Sequence, residues 1–307
     1  MSTLASRRSM MFARDASSCV DPNGTVAYVF MTRSGLPLWP VWERYFASCP
    51  SGSAVAFVHQ QDRTPSVLAK VERQVTPLGG HVLPASATKQ GDLRFEFSMA
   101  AAMLHLYSAA GQSVAHNGCV PRWAHIASER DAPVVRCRAV HDFLRASPEE
   151  SKLEWITDSW NDQETVPTAF KPLVETSQWI TLWMPAAMAL ANDEHHLRRK
   201  WGQLRDWDKQ QIPGDDRFRG ITVWGGVDEW MWHTELGQHG FQFNRKGLTY
   251  VSWCGEWCTK LDNSGGTSPE AFLTTQAARD ACQKAQKAGK FFARKFGPEE
   301  SIQTALI

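Results

Sequence analysis

The sequence predicts an α/β fold built on a doubly wound, mostly parallel central sheet. Three observations carry that prediction. Thr25–Thr32 (TVAYVFMT) and Val55–His59 (VAFVH) are short apolar runs rich in β-forming residues, so they read as strands buried on both faces. A helical stretch through Val41–Ala47 lies between them, giving the strand–helix–strand unit from which such sheets are wound. Further along, Phe95–Ala110 is rich in Ala, Met and Leu at a 3.6-residue spacing and predicts a helix.

The remaining elements alternate in the same way. Ala124–Ala127 (AHIA) predicts a short strand ending at Ser128–Asp131, and Val140–Leu144 opens a helix. Ser177–Met184 (SQWITLWM) predicts a strand, and Pro185–Ala191 starts a helix. Asn192 to Arg219 is dense in charge and reads as a solvated helix or long loop. Val227–Leu236 (VDEWMWHTEL) predicts a helix with acids in its first turn, where the dipole favours them. Leu248–Trp253 reads as a strand and Thr259–Thr267 as a loop. Ser268-Pro269-Glu270 carries the signature of an N-cap, the helix running to Gly289. Phe291–Phe296 (FFARKF) closes the chain as a strand or extended segment. The domain expectation is a loosely ordered segment over 1–22, with three arginines and few acids, then one domain over 23–307.

Composition narrows the function. The 307 residues carry 33 basic and 32 acidic side chains, a net charge of +1, which offers no general attraction to nucleic acid. No run reaches the ~18 apolar residues that a membrane helix needs. There is no GxGxxG, no GxxxxGK[ST], no HExxH and no GxSxG, which sets aside simple dinucleotide dehydrogenase, P-loop and nucleophile-elbow readings. Seven scattered cysteines make no dense disulfide framework. Cys254 and Cys258 are close enough to pair or to share a metal, but no second Cys/His pair at zinc spacing follows them. The chain has 14 tryptophans, most of them between Trp155 and Trp257. Packing accounts for most; two or three suit stacking on the apolar face of a sugar ring.

Four constellations carry chemistry. Asp228-Glu229 follows two glycines and sits beside Trp230, Trp232 and His233, so a carboxylate there suits a general base in an apolar pocket; the competing reading is an ordinary acidic helix start. Arg294-Lys295 lies between phenylalanines and suits a diphosphate clamp, the alternative being outward charges on an edge strand. Asp206-Trp207-Asp208 has the acid-x-acid spacing of a divalent site but lies in the charge-dense stretch with His195 and His196, and reads as solvated surface. Ser128-Glu129-Arg130-Asp131 follows a strand, where open α/β sheets bind ligands; a plain turn is the alternative.

Taken in order, these segments resemble the core-2/I-branching β-1,6-N-acetylglucosaminyltransferase family, with its peptide O-xylosyltransferase and plant glucuronosyltransferase relatives. AYVFMTRSGLPLWPVWERYF resembles the opening strand, LPL segment and WERFF helix, and VAFVHQQ the next strand. HIASERDAPV, ETSQWITLWMPAAMAL, VDEWMWHTEL, LTYVSW with SPEAF, and FFARKFGPE resemble five further segments, so the likeness spans roughly 25–300. The resemblance implies a GT-A-like three-layer α/β/α fold and an inverting, metal-independent transfer from a UDP-sugar to a hydroxyl of a glycan or glycoprotein acceptor. It implies no cofactor beyond the donor. It makes Glu229 the catalytic base, with Asp228 beside it, and Arg294 and Lys295 the diphosphate-binding pair. Thr32 and His59 end the two strands nearest the nucleotide. Ser177, Gln178, Trp179, Glu129, Asp131, Trp230 and Trp253 line the sugar and acceptor side.

The chain departs from the family pattern at several points. Asp131 replaces the family cysteine, Gln61 stands where an Asp is usual, and Ser252 and Ser268 replace an acid and a histidine. Those changes keep open a second reading, a catalytically inactive relative that binds a nucleotide sugar or glycan. A hydrolase using Asp228 and Glu229 as paired carboxylates is disfavoured, since neighbouring helical residues diverge by about 100°. Relatives with this pattern are usually Golgi-lumen enzymes with a signal anchor, and no such anchor is expected in this sequence.

Overall fold

Val26–Thr32 forms the first strand, β1, with no solvent reaching Val26 through Phe30. The computed structural model describes residues 24–84, 97–113, 119–157, 167–211, 227–252 and 271–306, with backbone alone at 156–157 and 204–211. The expected loose segment 1–22, Trp253, the Cys254/Cys258 pair and the Ser268–Glu270 cap lie outside the described residues. After β1 come β2 (Ala54–Gln60), β3 (His81–Val82), β4 (Trp123–Ser128), β5 (Ala132–Pro133), β6 (Ser151–Lys152) and β7 (Trp155–Thr157). They are followed by β8 (Glu175–Thr176), β9 (Thr181–Trp183), β10 (Phe243–Asn244), β11 (Thr249–Val251) and β12 (Phe292–Arg294). The helices are α1 (Trp39–Ala47), α2 (Pro65–Val75), α3 (Ser98–Gln112), α4 (Cys137–Arg145) and α5 (Met184–Asn192). They continue with α6 (Glu194–Gln211), α7 (Val227–Gln238), α8 (Thr275–Lys287) and α9 (Glu300–Ala305).

The central sheet has seven strands in the order β10-β6-β9-β4-β1-β2-β3. β1 pairs in parallel with both β2 and β4, in the registers Val26↔Ala54 and Val26↔Trp123. β9 alone runs against its neighbours β4 and β6. This is the mixed α/β, mostly parallel arrangement that the strand–helix alternation predicts. Because successive side chains point to opposite faces, each buried strand feeds two cores. Ala27, Val29, Val55, Phe57 and Ile126 face α3, α5 and α7, while Tyr28, Phe30, Ala56, Val58 and Ala127 face α1, α2, α4 and α8. The helices of the first layer meet closely: a Cβ at Gly111 of α3 would collide with Met188 of α5. A smaller sheet, β11-β12-β5, and a β7-β8 pair lie apart from it.

Three expectations about local structure are corrected. Ser177–Met184 is not one strand: β8 and β9 are separated by Ser177–Ile180, because the Ser177 N–H turns to the Glu154 carbonyl at 2.7 Å and the Trp179 N–H to Ser177 Oγ at 3.3 Å. The helix assigned to a Ser268 cap begins at Thr275, where Thr274 Oγ1 accepts from the Ala277 N–H at 3.1 Å; Phe272 instead bridges to Phe296. Gly289, with φ +68°, follows the end of that helix as expected. The charged stretch after Asn192 is helix α6 and is not wholly solvated. Leu197 and Trp201 are fully buried, and Trp201 Nε1 donates to Glu235 Oε1 at 2.8 Å, while His195 and His196 are exposed. Apart from these, two of the scattered cysteines form a disulfide, Cys49–Cys137, tying the end of α1 to the start of α4. It closes a loop of 88 residues. Cys49→Ser/Cys137→Ser is expected to lower the unfolding free energy by about 2–4 kcal/mol, through the freed chain of the unfolded state. A drop in urea midpoint, with m held or raised as the unfolded chain expands, checks this. No helix among the described residues is long and apolar enough to cross a membrane.

Candidate functional site

Four elements deliver side chains to one place. The smaller sheet sets Arg294, the last residue of β12, beside the turn between β4 and β5, since Ala293 pairs with Ala132. That turn is built by Asp131. Its Oδ2 accepts from the Ser128 N–H at 2.7 Å, its Oδ1 accepts from Ser128 Oγ at 3.0 Å, and its carbonyl accepts from Trp42 Nε1 at 2.9 Å. Arg294 Nε lies 3.1 Å from Asp131 Oδ1, both side chains nearly enclosed. The contact is an ion pair by distance, with the N–H not aimed along a hydrogen bond. The guanidinium carbon lies 3.7 Å from the centre of the Trp179 ring, a cation–π stack from the bend between β8 and β9.

The next residue in that bend, Gln178, reaches the start of α7. Its Nε2 donates to Glu229 Oε1 at 3.2 Å and sits 3.4 Å from Asp228 Oδ2. One amide thus serves both carboxylates, whose side chains bend toward a common donor. Thr176 Oγ1 donates to the Glu229 carbonyl at 2.8 Å and pins the helix start to β8. Asp228 is buried, Glu229 half-buried.

Burial dominates the electrostatics. It pushes Glu229 up to about 8, with the charges of Asp228 and then Glu175 adding to the rise and Gln178 and Arg294 opposing it. Burial also lifts Asp228 to about 6. Asp131 is raised to about 6 by burial against the pull of Arg294. The helix dipole favours ionised acids in the first turn, but here desolvation wins. The carboxylate pair therefore holds a proton near neutral pH, and Arg294 answers three acids, Asp131, Glu129 and Glu229.

The structure brings together Asp228, Glu229, Gln178, Trp179, Asp131 and Arg294, with Glu129 close enough to act on Arg294. Lys295 follows half-buried, its carbonyl accepting from the Phe272 N–H at 2.8 Å. Ser177 is buried and spends its groups on the bend. Trp230 is packed in the first core. Thr32 and His59 sit at the ends of β1 and β2. Thr32 Oγ1 lies 2.6 Å from Gln60 Oε1, and His59 is fully buried, its ring held neutral by burial, which pushes it down to about 4. Sequence reasoning placed Ser128 in the candidate turn after β4 but missed Glu175 and Thr176, which act on Glu229 through contacts between β8 and α7 that no local pattern marks. A cleft of about 220 Å³ opens beside the cluster, lined by Ser34, Leu36, Pro37, Lys70, Glu129, Arg130 and Pro298. It lies at the carboxyl ends of β1 and β4. Among the described residues, the group with ligand spacing for a metal is Cys49, Cys137 and His141, away from this cluster.

No protein-family model matches the chain, and no curated protein does. Among solved structures, the apo form of mouse xyloside xylosyltransferase 1 is similar over 78% of this chain and 91% of that one, at 12% identity and a TM-score of 0.37. That likeness gives no residue of this chain a role.

Proposed function

We propose that the chain is an inverting, metal-independent glycosyltransferase of the core-2/I-branching kind, moving a sugar from a UDP-sugar to a hydroxyl of a glycan or glycoprotein. One observation supports it above the others: Gln178 and Trp179, adjacent in one bend, hold the carboxylates with one side chain and stack on Arg294 with the other. A proton acceptor and a fixed cation are therefore held from one bend, and Glu129, whose charge acts on Arg294, lines the cleft. Transfer with inversion needs that pairing. Glu229 takes the proton of the acceptor hydroxyl as the oxygen attacks the anomeric carbon from the face opposite UDP, and Arg294 with Lys295 meets the charge growing on the diphosphate. The cleft between the ends of β1 and β4 receives the nucleotide, where open α/β sheets bind such ligands.

Lys295→Ala is expected to weaken UDP binding roughly tenfold, the value of one charge-assisted contact. Calorimetry with UDP checks it, and unchanged affinity removes Lys295 from the clamp. Transfer is expected to survive excess EDTA undiminished; loss of UDP release on chelation contradicts metal independence.

A second reading has its own support. Arg294 is already paired with Asp131 and covered by Trp179, which suits a relative that binds a nucleotide sugar or glycan without turnover. UDP release across a panel of UDP-sugars with hydroxyl acceptors separates the two.

A further inference from the structure

Cys49 follows the end of α1, and Cys137 is the first residue of α4. His141 stands one turn along the same helix, its Nε2 3.3 Å from Cys137 Sγ. The three donor atoms lie within 4.8 Å of one another, and Cys137 and His141 are buried while Cys49 is half-buried. Two features hold the group together apart from the S–S bond. Residues four apart on a helix share a face, so Cys137 and His141 form a built-in chelating pair. The Cys137 N–H also points to Ser48 Oγ at 3.3 Å, and Tyr45, Phe46, Val140 and Leu144 share the second core around the junction.

Two thiolates and an imidazole are the donor set of zinc-class ions. Tetrahedral bonds of 2.3 Å to sulfur and about 2.0 Å to nitrogen place donors roughly 3.6–3.8 Å apart, a spacing within the reach of this group. We propose that Cys49, Cys137 and His141 form a redox-gated site for one zinc-class divalent ion, closed while the disulfide stands and opened by a thiol reductant. Cys49, the less buried residue of the pair, is the point of attack. A thiolate RS⁻ bonds to Cys49 Sγ, the S–S bond breaks, and Cys137 leaves as a thiolate at a helix N-terminus, where negative charge is favoured. A second thiol releases Cys49, so two RSH become RSSR and the two cysteines become thiols. The ion then binds both sulfurs and His141 Nε2, displacing two protons and leaving a fourth position open toward the solvent side of Cys49.

Cobalt(II) is the probe, in a Cys254→Ser/Cys258→Ser background so that the other close pair contributes nothing. Protein reduced with a phosphine is expected to take one Co²⁺ with sulfur-to-metal charge transfer and the intense visible bands of a tetrahedral site, and the oxidised protein none. His141→Asn is expected to weaken binding by more than the roughly 10–100-fold that loss of an outer-shell partner costs. Near-UV circular dichroism is recorded on every sample. Bands that persist in Cys49→Ser/Cys137→Ser, or are absent from reduced protein that keeps its tertiary spectrum, overturn the proposal. Loss of the tertiary spectrum on reduction in the presence of cobalt overturns it equally, since the three donors then no longer meet. None of these readouts depends on glycosyl transfer.

Discussion

Glu229→Gln is expected to lose transfer by roughly 10²–10⁴-fold, the range a positioned general base supplies, while UDP affinity stays nearly unchanged. The amide keeps the size of the carboxylate and a carbonyl oxygen for the Gln178 donor, so the bend keeps its partner. What disappears is the capacity to take a proton. The wild-type rate should rise with pH through a midpoint near 8, because only ionised Glu229 is a base and burial holds its pKa at about 8. Equal activity in the variant, or a profile flat between pH 6 and 9, removes the assignment.

The same substitution has a second expected effect, on stability. Between pH 4.5, where the unfolded Glu229 carboxyl loses its proton, and about 8, where the folded one does, the native state binds the extra proton. Its contribution is thus fully present below about pH 4.5 and is lost as pH rises to 8. Replacing it with neutral Gln removes that loss. The variant should match the wild type near pH 4.5 and exceed it by up to about 5 kcal/mol at pH 9, since each shifted pKa unit is worth about 1.4 kcal/mol. Urea unfolding at the two pH values measures it.

Arg294→Met is expected to destabilise the fold by about 3–5 kcal/mol, because it strands the Asp131 carboxylate in the interior without its cation. Arg294→Lys should restore only part, as a lysine keeps a charge but not the flat face that Trp179 covers. The loss should shrink below pH 6, where Asp131 can be protonated, and should shrink again in Arg294→Met/Asp131→Asn, where no charge remains to strand. A double-mutant cycle by urea unfolding reads the coupling directly. Additive effects of the two single changes would show that the ion pair contributes nothing.

Much of this architecture was legible beforehand. Continuous apolar runs such as Val26–Phe30 and Val55–Val58 can be satisfied only by burial on both faces, so the parallel sheet followed from hydrophobic pattern alone. The acids opening α7 and the phenylalanines around Arg294 were visible as chemistry set in apolar surroundings. Other features left no local signal. The split at Ser177–Ile180 arises from hydrogen bonds to Glu154 and within the bend, partners that periodicity does not see. The start of α8 at Thr275 likewise goes with the pairing of Phe272 to Phe296, a contact far along the chain.

The order of the residues by itself determined which segments become strands and helices and which side chains carry charge into apolar company, because those choices depend on near neighbours and on the period of hydrophobicity. Only the tertiary structure decided that one amide would bridge Asp228 and Glu229, that Asp131 would claim Arg294, and that Cys49 would meet Cys137 beside His141. Each of those meetings joins positions far apart along the chain, apart from the carboxylate neighbours and the one-turn step to His141. The packing of the two cores on the sheet sets such distances, and no spacing in the sequence encodes them.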